Sequence, residues 1–351
     1  MYPYVTVIMP IHNEAEFIRR SLGAVLAQDY PSDLTEVLIV DGMSTDQTYK
    51  IIRQLIAESG CTRVRLLENK GRIVPTGLNL AIREAKGDII IRVDGHTVIA
   101  PDYVRQCVVA LHRTNADNVG GLMKGVGITT FGQAVALATS SPFGVGGARF
   151  HYSDQEEWTD TAYMGAWPRK VFEQIGLFDE RLVRNQDDEF SYRLRAAGGR
   201  ILLSPHIKSE YTVRSTPWLL GKQYFQYGFW KILVLQKHTF QMRPRQFVPP
   251  AFALALSSSL VFALLDWGWW LLTLILAAYL LANLSASFYI SARSGWRYLL
   301  LLPLTFAILH LSYGFGFLIG LAMFVRLGNG KVDQAPNYSN EIQTRPISPS
   351  D

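Results

Sequence analysis

The stretch GDIIIRVDGHTVIA, residues 87–100, decides how the first part of the chain folds. It opens on a run of branched apolar residues, which is typical of a strand buried on both faces. The run stops at Asp94, Gly95 and His96, and apolar residues then return. Polar groups do not belong in the buried part of an apolar strand, so we expect Asp94 and His96 to lie where the strand ends, at one edge of a sheet.

Three similar apolar runs come before this one, and helical patterns separate them. The runs are YVTVIM at 4–9, EVLIV at 36–40 and RVRLLE at 63–68. The helical patterns cover 15–27, 45–59 and 75–85. Strands that alternate with helices predict an α/β fold with an open, mostly parallel sheet. Ligands of such sheets bind beyond the carboxyl ends of the strands, where Asp41 and Asp94 both stand.

Asp41 ends the second apolar run, within VDGMSTDQT at 40–48. A carboxylate in this place can accept hydrogen bonds from a nucleobase N–H or from ribose hydroxyls. It is also a common turn former, so both interpretations are open. Ser44 and Gln47 have the spacing of a capping box, which predicts that the next helix starts there.

Asp94 and His96 can reach one divalent cation if Gly95 turns both side chains to the same side. A carboxylate and an imidazole suit Mn²⁺ or Mg²⁺ when phosphate oxygens complete the coordination shell. Such a cation would neutralise a diphosphate leaving group as a Lewis acid. The alternative is that Asp94 caps the following turn and His96 is an ordinary surface residue.

The motif NQDDEFSYRLRAAGG, residues 185–199, contains three consecutive acids at the start of a short helix. Acids suit the helix dipole there, but three exceed what capping requires. One of the three, held near a metal and basic residues, could stay ionised and accept a proton from an alcohol. Arg193 and Arg195 could hold the others. Upstream, the glycine-rich SSPFGVGGARF at 140–150 is expected to form a mobile loop.

Composition points to a membrane-attached protein of a reducing compartment. Hydrophobic residues make up 49% of the 351 residues and concentrate at 247–325, and the two cysteines match no disulfide or metal pattern. The N-terminus has no basic segment before its short apolar run, so no signal peptide is expected. Between residues 208 and 245, seven Lys or Arg stand against one acid, either attracting anionic lipid or forming a solvated helix face.

Three apolar segments follow, at 247–265, 267–290 and 298–325, near or above the length of about 20 residues that spans a bilayer. Of the two loops that join these segments, only the second contains arginines. The positive-inside rule therefore places the second loop inside and the first outside, which agrees with an N-terminal domain in the cytosol. Three crossings would leave Arg326 and Lys331 outside. The first segment, which opens on Pro249 and Pro250, is therefore a candidate for a re-entrant path. The polar tail from 326 to 351 is expected to be disordered.

Taken together, these motifs resemble family-2 glycosyltransferases in order and spacing over residues 4 to 210. The motifs are VTVIMPIHNEAEFIRRSL, VLIVDGMSTDQT, ENKGRIVPTGLNLAIREAKGDIIIRVDGH and RNQDDEFSYRLRAAGG. The bacterial succinoglycan-biosynthesis glucosyltransferases are similar in further segments, namely SSPFGVGGARF, GLFDERLVRNQDDE and QYFQYGFWK. The resemblance implies a GT-A fold and an inverting transfer from a nucleotide-sugar, most often a UDP-sugar.

The resemblance also implies roles for single residues. Asp41 matches the aspartate that recognises the base, and Arg72 lies where a basic residue can approach the diphosphate. The segment that lines the nucleotide pocket contains Pro10, His12 and Glu14. Asp94 matches the first acid of the metal motif. His96 replaces a second acid, which puts strict metal dependence in doubt.

In the acidic motif, alignment with the family places Asp187 at the catalytic base and Asp188 on a variable position next to it. QYFQYGFW is similar to the family's Gln-x-x-Arg-Trp box, with Gln226 and Trp230 as the equivalents that would face the acceptor. The box lacks its arginine here, which weakens a processive-synthase interpretation.

We therefore expect a membrane-anchored hexosyltransferase that moves a sugar from a nucleotide-sugar to a lipid-linked saccharide, in exopolysaccharide or cell-surface glycan synthesis at the inner membrane. Transfer to a bare polyprenyl phosphate, and a membrane assembly protein with an inactive transferase domain, are the alternatives. The juxtamembrane basic residues do not favour a nucleic-acid partner. The expected parts are a catalytic domain (1–210), a basic amphipathic interfacial segment (211–246), a transmembrane region (247–325) and a disordered tail (326–351).

Overall fold

The computed structural model of the protein describes residues 2–60, 63–238 and 243–327. Apart from its first two residues, the tail predicted to be disordered lies outside these ranges. The chain divides into two compact units. The first includes residues 1–121 and 156–209, and the second comprises residues 122–155 and 210–326. The segment 122–155, which lies inside the range 1–210, thus belongs to the second unit.

The described residues form a sheet of nine strands. These are β1 (Val5–Ile11), β2 (Thr35–Asp41), β3 (Val64–Glu68), β4 (Ile89–Arg92), β5 (Thr97–Ile99), β6 (Asn118–Val126), β7 (Glu157–Thr159), β8 (Ala166–Pro168) and β9 (Ile201–Thr212). Their spatial order is β3-β2-β1-β4-β8-β6-β9-β5, and β7 pairs with β9.

The four strands predicted from apolar runs form one parallel block. β1 pairs with both β2 and β4, and β2 pairs with β3, all in parallel register. Beyond β4 the sheet becomes mixed, because β8 runs antiparallel to both β4 and β6. The predicted α/β fold is confirmed, and the carboxyl ends of β1, β2 and β4 meet at one edge of the sheet.

Twelve α-helices accompany the strands in the described part of the chain. They are α1 (Ile18–Leu26), α2 (Thr48–Ser59), α3 (Val74–Glu84), α4 (Tyr103–Thr114), α5 (Thr130–Thr139), α6 (Pro142–Val145), α7 (Arg169–Ile175), α8 (Gln186–Ala196), α9 (Pro217–Lys237), α10 (Val248–Leu264), α11 (Trp269–Ser294) and α12 (Leu301–Leu327).

Helices cover both faces of the parallel block, which explains why its strands are continuously apolar. Alternate residues of β1 enter different cores, since successive strand side chains point to opposite faces. Val7 and Met9 pack with residues of α1, α2 and α4. Ile8 packs on the other face with Leu78 of α3 and Phe190 of α8.

The helix after Asp41 begins at Thr48, so the capping-box interpretation of Ser44 is wrong. The Ser44 hydroxyl donates to Asp41 Oδ1 at 2.5 Å, and Asp46 Oδ1 accepts from the Thr48 N–H at 2.9 Å. The buried Asp41 carboxylate requires hydrogen-bond donors. The Ser44 hydroxyl supplies one of them, so it does not cap the helix.

The SSPFGVGGARF segment lies in the second unit and is folded rather than irregular. It forms α6 and a 3₁₀ turn over Arg149–His151. The Phe143 ring packs edge-on against Phe306 and His310 of α12, with ring centroids 4.9 and 5.0 Å apart. His310 Nε2 donates to the Phe143 carbonyl oxygen at 2.8 Å, which fixes α6 on α12.

Within the described residues, three helices are long and apolar enough to cross a membrane, namely Pro244–Leu264, Trp269–Ser294 and Leu301–Phe324. They correspond to the three segments predicted from the sequence and indicate a membrane protein. α9 precedes them and is covered by protein from Gly228 to Val234, seven consecutive buried residues. This part of α9 therefore has no single apolar face, and its predicted position along a membrane surface stays a prediction.

Glycines bring α9 and α12 into backbone contact. A Cβ added to Gly228 would lie 2.1 Å from the Tyr313 carbonyl oxygen, and one on Gly316 would lie 2.1 Å from that of Phe225. Gly320 approaches the Phe229 carbonyl in the same way. Gly316 and Gly320 have the spacing of small residues at close helix contacts within membranes.

Gly228→Ala is expected to destabilise this contact by about 3 kcal/mol, because the added methyl meets backbone atoms that cannot rotate away. Thermal unfolding of the detergent-solubilised chain measures the effect. Gly221→Ala on the same helix is the matched control, since its nearest atom is the Ser312 hydroxyl oxygen at 3.3 Å. Equal transition temperatures for the two variants would contradict the prediction.

Candidate active site

Asp41 is the last residue of β2 and is 3% exposed. Its Oδ1 accepts from the Ser44 hydroxyl at 2.5 Å, and its Oδ2 accepts from the Ser44 N–H at 3.0 Å. Asp41 is thus a turn former, as one of the two interpretations required. Each carboxylate oxygen has a further lone pair, so the same group can accept a hydrogen bond from a ligand.

His12 and Arg72 lie beside the turn that Asp41 forms. His12 Nδ1 donates to the Gly42 carbonyl at 2.7 Å, and Asn13 Nδ2 lies 3.4 Å from His12 Nε2. A Cβ on Gly42 would be 3.2 Å from His12 Cβ and 3.3 Å from the Arg72 carbonyl oxygen. Three separate segments therefore meet at the carboxyl end of β2, and the Arg72 side chain is exposed there.

Pro10 stands opposite Val40 in the β1–β2 pair. The pairing between β1 and β4 has already ended by then, at Ile8 and Arg92. Because proline has no N–H, it fits a strand position where no partner requires one. β1 and β4 therefore stop pairing shortly before Asp94.

Glu14 and His96 form a close polar pair. Glu14 Oε1 lies 2.8 Å from His96 Nδ1, and both side chains are mostly buried. Gly95 allows this approach, since a Cβ there would lie 3.0 Å from Glu14 Cγ. The sequence predicted Glu14 for the nucleotide pocket, and the structure places its carboxylate against the predicted metal ligand His96.

Asp94 forms a buried ion pair with Arg92, the last residue of β4. Arg92 Nε donates to Asp94 Oδ1 at 2.7 Å and Nη2 donates to Oδ2 at 3.1 Å. The two side chains are 7% and 13% exposed. Burial lowers the pKa of the Arg92 guanidinium, but Asp94 and then Asp187 raise it, and the pKa ends above its ordinary value. Asp187 therefore lies within electrostatic range of the Arg92–Asp94 pair.

Helix α8 carries the three consecutive acids, and the structure separates their environments. Asp187 and Asp188 are half-buried in its first turn, and the Asp188 N–H donates to Asp187 Oδ1 at 3.0 Å. Glu189 is 2% exposed and accepts from Arg193 at 3.2 and 3.0 Å. Arg193 also donates to the carbonyls of Ile175 and Leu177, so Glu189 helps to join α8 to α7.

Left-handed backbone conformations cluster around these residues. In the described chain, five of the seven non-glycine residues with positive φ adjoin or belong to the site, namely Asn13, Met43, Arg72, Met164 and Asn185. Met164 Sδ accepts from the Asp94 N–H at 3.4 Å. Such conformations are uncommon for methionine and arginine, and they concentrate at functional sites, where the surrounding structure holds them in place.

The predicted acceptor residues lie in the second unit. Gln226 is half-buried in α9. Trp230 is 5% exposed, and its ring packs edge-on against Phe229 and tilted against Phe324 of α12, with centroids 5.6 and 6.1 Å apart. Trp230 thus joins α9 to a candidate membrane helix, and the acceptor role of both residues stays a prediction.

Asp94 and His96 are the two residues predicted to bind a divalent cation. No cluster of three or more His, Cys, Asp or Glu suited to a metal occurs in the described ranges, so substrate oxygens would have to complete the shell. The donor set fits such a cation, because histidine ligands usually donate their second ring N–H to a carboxylate, as His96 can to Glu14.

Sequence reasoning missed two partners. Arg92 lies within an apolar strand, and one charge inside IIIRV is a signal that a buried cation needs a carboxylate. Ser44, which the spacing predicts as a helix cap, binds Asp41 instead. The pairing of Glu14 with His96, 82 residues apart, has no local signal.

Comparison with known proteins agrees with this architecture. The family model "Glycosyl transferase family 2" matches residues 6–176. The succinoglycan biosynthesis protein ExoA of Rhizobium meliloti (strain 1021) is 32% identical over 263 residues, which cover 74% of this chain and 78% of that protein. A Methanococcus voltae enzyme, named as a dolichyl N-acetyl-α-D-glucosaminyl phosphate 3-β-D-2,3-diacetamido-2,3-dideoxy-β-D-glucuronosyltransferase, is 26% identical over 324 residues, 91% of this chain and 97% of its own.

A solved structure has the same fold. The mannosyltransferase from Pyrobaculum calidifontis, in complex with GDP-mannose and Mn²⁺, superposes with a TM-score of 0.60 at 21% identity, over 92% of this chain and 88% of that one. The predicted GT-A fold is confirmed, with candidate membrane helices after it. Carrying these motifs on this fold, the chain is a glycosyltransferase and belongs to glycosyl transferase family 2.

Proposed function

We propose that the enzyme transfers a sugar with inversion from a UDP-sugar to a lipid-linked saccharide, in the synthesis of an exopolysaccharide or another cell-surface glycan. The observation that carries the proposal is the electrostatic connection of Asp94 and Asp187 through one buried guanidinium, that of Arg92. Asp94 follows β4 at the carboxyl ends of the parallel strands, and the candidate base Asp187 acts on the guanidinium that Asp94 binds. In open α/β sheets this edge is where ligands bind.

The nucleotide would bind along the carboxyl ends of β1 and β2. Asp41 accepts hydrogen bonds from the base, in the segment that His12 and Pro10 adjoin. Arg72, whose side chain is exposed beside Gly42, approaches the diphosphate. Positive charge there would stabilise the leaving group as the glycosidic bond breaks.

Asp94 and His96 would hold a divalent cation, Mn²⁺ or Mg²⁺. When bound, this cation supplies further neutralisation of the diphosphate. Arg92 fixes the Asp94 carboxylate and Glu14 fixes the His96 ring, so both ligands are oriented in advance.

Asp187 would act as the base. Its carboxylate accepts the proton of an acceptor hydroxyl, and the hydroxyl oxygen attacks the anomeric carbon from the face opposite the nucleotide. One bond forms while the bond to the diphosphate breaks, which inverts the anomeric centre. Most of the rate enhancement would come from positioning and charge neutralisation.

The acceptor is proposed from the relatives and from the candidate membrane helices. One relative is named for succinoglycan biosynthesis, and the other is named for an acceptor in which a sugar is already joined to dolichyl phosphate. The second name favours a lipid-linked saccharide over a bare polyprenyl phosphate. Gln226 and Trp230 would face it, with the catalytic domain on the cytoplasmic side of the inner membrane.

A donor screen tests the proposal. Membranes that contain the full chain are supplied with UDP- and GDP-sugars, with and without Mn²⁺ or Mg²⁺, and nucleoside diphosphate release is measured. Each donor is paired with a lipid-diphosphate-linked sugar or with a bare lipid phosphate. We expect release with a UDP-sugar, the lipid-linked sugar and the cation. If nucleoside diphosphate is released with the bare lipid phosphate and not with the lipid-linked sugar, the proposed acceptor is wrong. If it is released only from GDP-sugars, the proposed UDP-sugar donor is wrong.

Glu14→Ala is expected to raise the Mn²⁺ concentration for half-maximal transfer by about tenfold, because His96 loses the partner that orients its ring. Glu14→Gln keeps an acceptor for the His96 Nδ1–H. Its Mn²⁺ concentration for half-maximal transfer should therefore lie between those of Glu14→Ala and the unmodified enzyme. Saturating donor separates this effect from any loss of nucleotide affinity. An unchanged Mn²⁺ requirement in Glu14→Ala would show that His96 does not depend on Glu14.

A further inference from the structure

Arg92 is a charged residue at the carboxyl end of β4, whose other residues are apolar. It is in register with Ile8 of β1, and its N–H donates to the Gly165 carbonyl at 3.0 Å. Only 6% of the residue is exposed. A buried guanidinium is costly unless it is paired, and removal of its partner leaves an uncompensated charge.

The geometry of the pair restricts Asp94 strongly. Nε and Nη2 of Arg92 bind the two different oxygens of the Asp94 carboxylate, at 2.7 and 3.1 Å. Such a two-point contact fixes the plane of the carboxylate as well as its position. A lysine could supply the charge but not this fixed fork.

The third guanidinium nitrogen is not used by Asp94. Nη1 of Arg92 is buried, and no described residue provides a hydrogen-bond acceptor for it. Buried donors are rarely left without an acceptor. The other carboxylate that acts on this guanidinium is Asp187.

We propose that Arg92 is a positioning residue for glycosyl transfer, which holds the Asp94 carboxylate in its cation-binding orientation. This inference rests on the proposed function. The rival role for the same contact is competition, in which Arg92 must release Asp94 before a cation can bind. The two roles predict opposite changes in cation affinity when Arg92 is removed.

The experiment measures Mn²⁺ binding to the full-length, detergent-solubilised chain by electron paramagnetic resonance, in the presence of UDP and without acceptor. Arg92→Met is expected to weaken Mn²⁺ affinity by about 10- to 100-fold, the usual effect of losing a group that orients a metal ligand. The Mn²⁺ affinity of Arg92→Lys should lie between those of Arg92→Met and the unmodified chain. Unchanged or tighter Mn²⁺ binding in Arg92→Met would overturn the proposal.

Arg169→Met is the matched control. Arg169 donates to the carbonyls of Gly87 and Ala85, at the opposite end of the strand that carries Arg92. Its replacement should leave Mn²⁺ affinity unchanged, and an equal loss there would overturn a specific role for Arg92. If Arg92→Met does not fold, Arg92→Lys decides alone. It keeps the charge, so an unchanged affinity and an unchanged kcat would overturn the proposal.

The unmodified chain separates this inference from the proposed function. Absence of UDP-dependent Mn²⁺ binding there would contradict the cation role of Asp94 and His96 itself. Normal binding there, with normal binding in Arg92→Met, would contradict only the positioning role of Arg92. Transfer assays add a second readout, since a positioning residue should lower kcat by a larger factor than it changes the KM for the donor.

Discussion

Asp187→Asn is expected to lower the rate of sugar transfer by about 10³-fold while UDP-sugar binding stays intact. A general base contributes on the order of 10² to 10⁴ to the rate, and an amide cannot accept the proton of the acceptor hydroxyl. Asn has nearly the same shape as Asp, so α8 should keep its fold. Transfer is measured by nucleoside diphosphate release, and donor binding by calorimetry on the same preparation.

Asp188→Asn is the matched control for this prediction. The two residues are neighbours in the first turn of α8, and both are half-buried, so the substitutions disturb the helix similarly. Asp187 acts electrostatically on Arg92, and the family alignment places Asp188 on a variable position, so we expect Asp188→Asn to retain most activity. Loss of transfer in Asp188→Asn with normal turnover in Asp187→Asn would move the base to Asp188.

Asp94→Asn is expected to affect both folding and transfer. The substitution leaves the Arg92 charge buried without its bidentate partner, which should cost about 3 to 5 kcal/mol of unfolding free energy. It also removes the carboxylate proposed to bind the cation, so stimulation by Mn²⁺ should disappear. Thermal unfolding and transfer rates across a Mn²⁺ titration measure the two effects separately.

Asp88→Asn provides a control at the other end of the same strand. Asp88 is exposed, and it accepts from the Tyr4 N–H at 3.1 Å. This substitution should leave both stability and Mn²⁺ stimulation close to normal. If Asp94→Asn unfolds at the same temperature as Asp88→Asn and still responds to Mn²⁺, Asp94 is neither a structural partner of Arg92 nor a cation ligand.

The sheet could be predicted because its signals are local. Branched apolar runs and the helical patterns between them specify strands and helices within a few residues each. Helix boundaries follow less directly from local signals, because the helix predicted to start after Ser44 begins at Thr48. A serine can cap a helix or bind a nearby carboxylate, and the sequence does not say which acceptor is closer.

The candidate site was predictable as a set of residues but not as a set of contacts. Asp41 and Asp94 follow strands whose ends meet because the strands are parallel, so their common edge could be inferred. Glu14 and His96 pair across 82 residues, and the Arg92–Asp94 pair is buried beneath other parts of the chain. These contacts depend on which helices cover which face of the sheet. Trp230 is a similar case, because its burial against Phe324 depends on how α9 packs on α12.

The sequence by itself determined the alternation of strands and helices, the order of the motifs and the three apolar segments, because hydrophobic periodicity and turn residues act over short distances along the chain. Only the tertiary structure decided which charges are neutralised by which partners. A buried ion pair is stable only when both groups and their hydrogen bonds are in place together. Arg92 and Asp94 meet that condition, because both of their hydrogen bonds form at a position that the folded sheet and its covering helices bury.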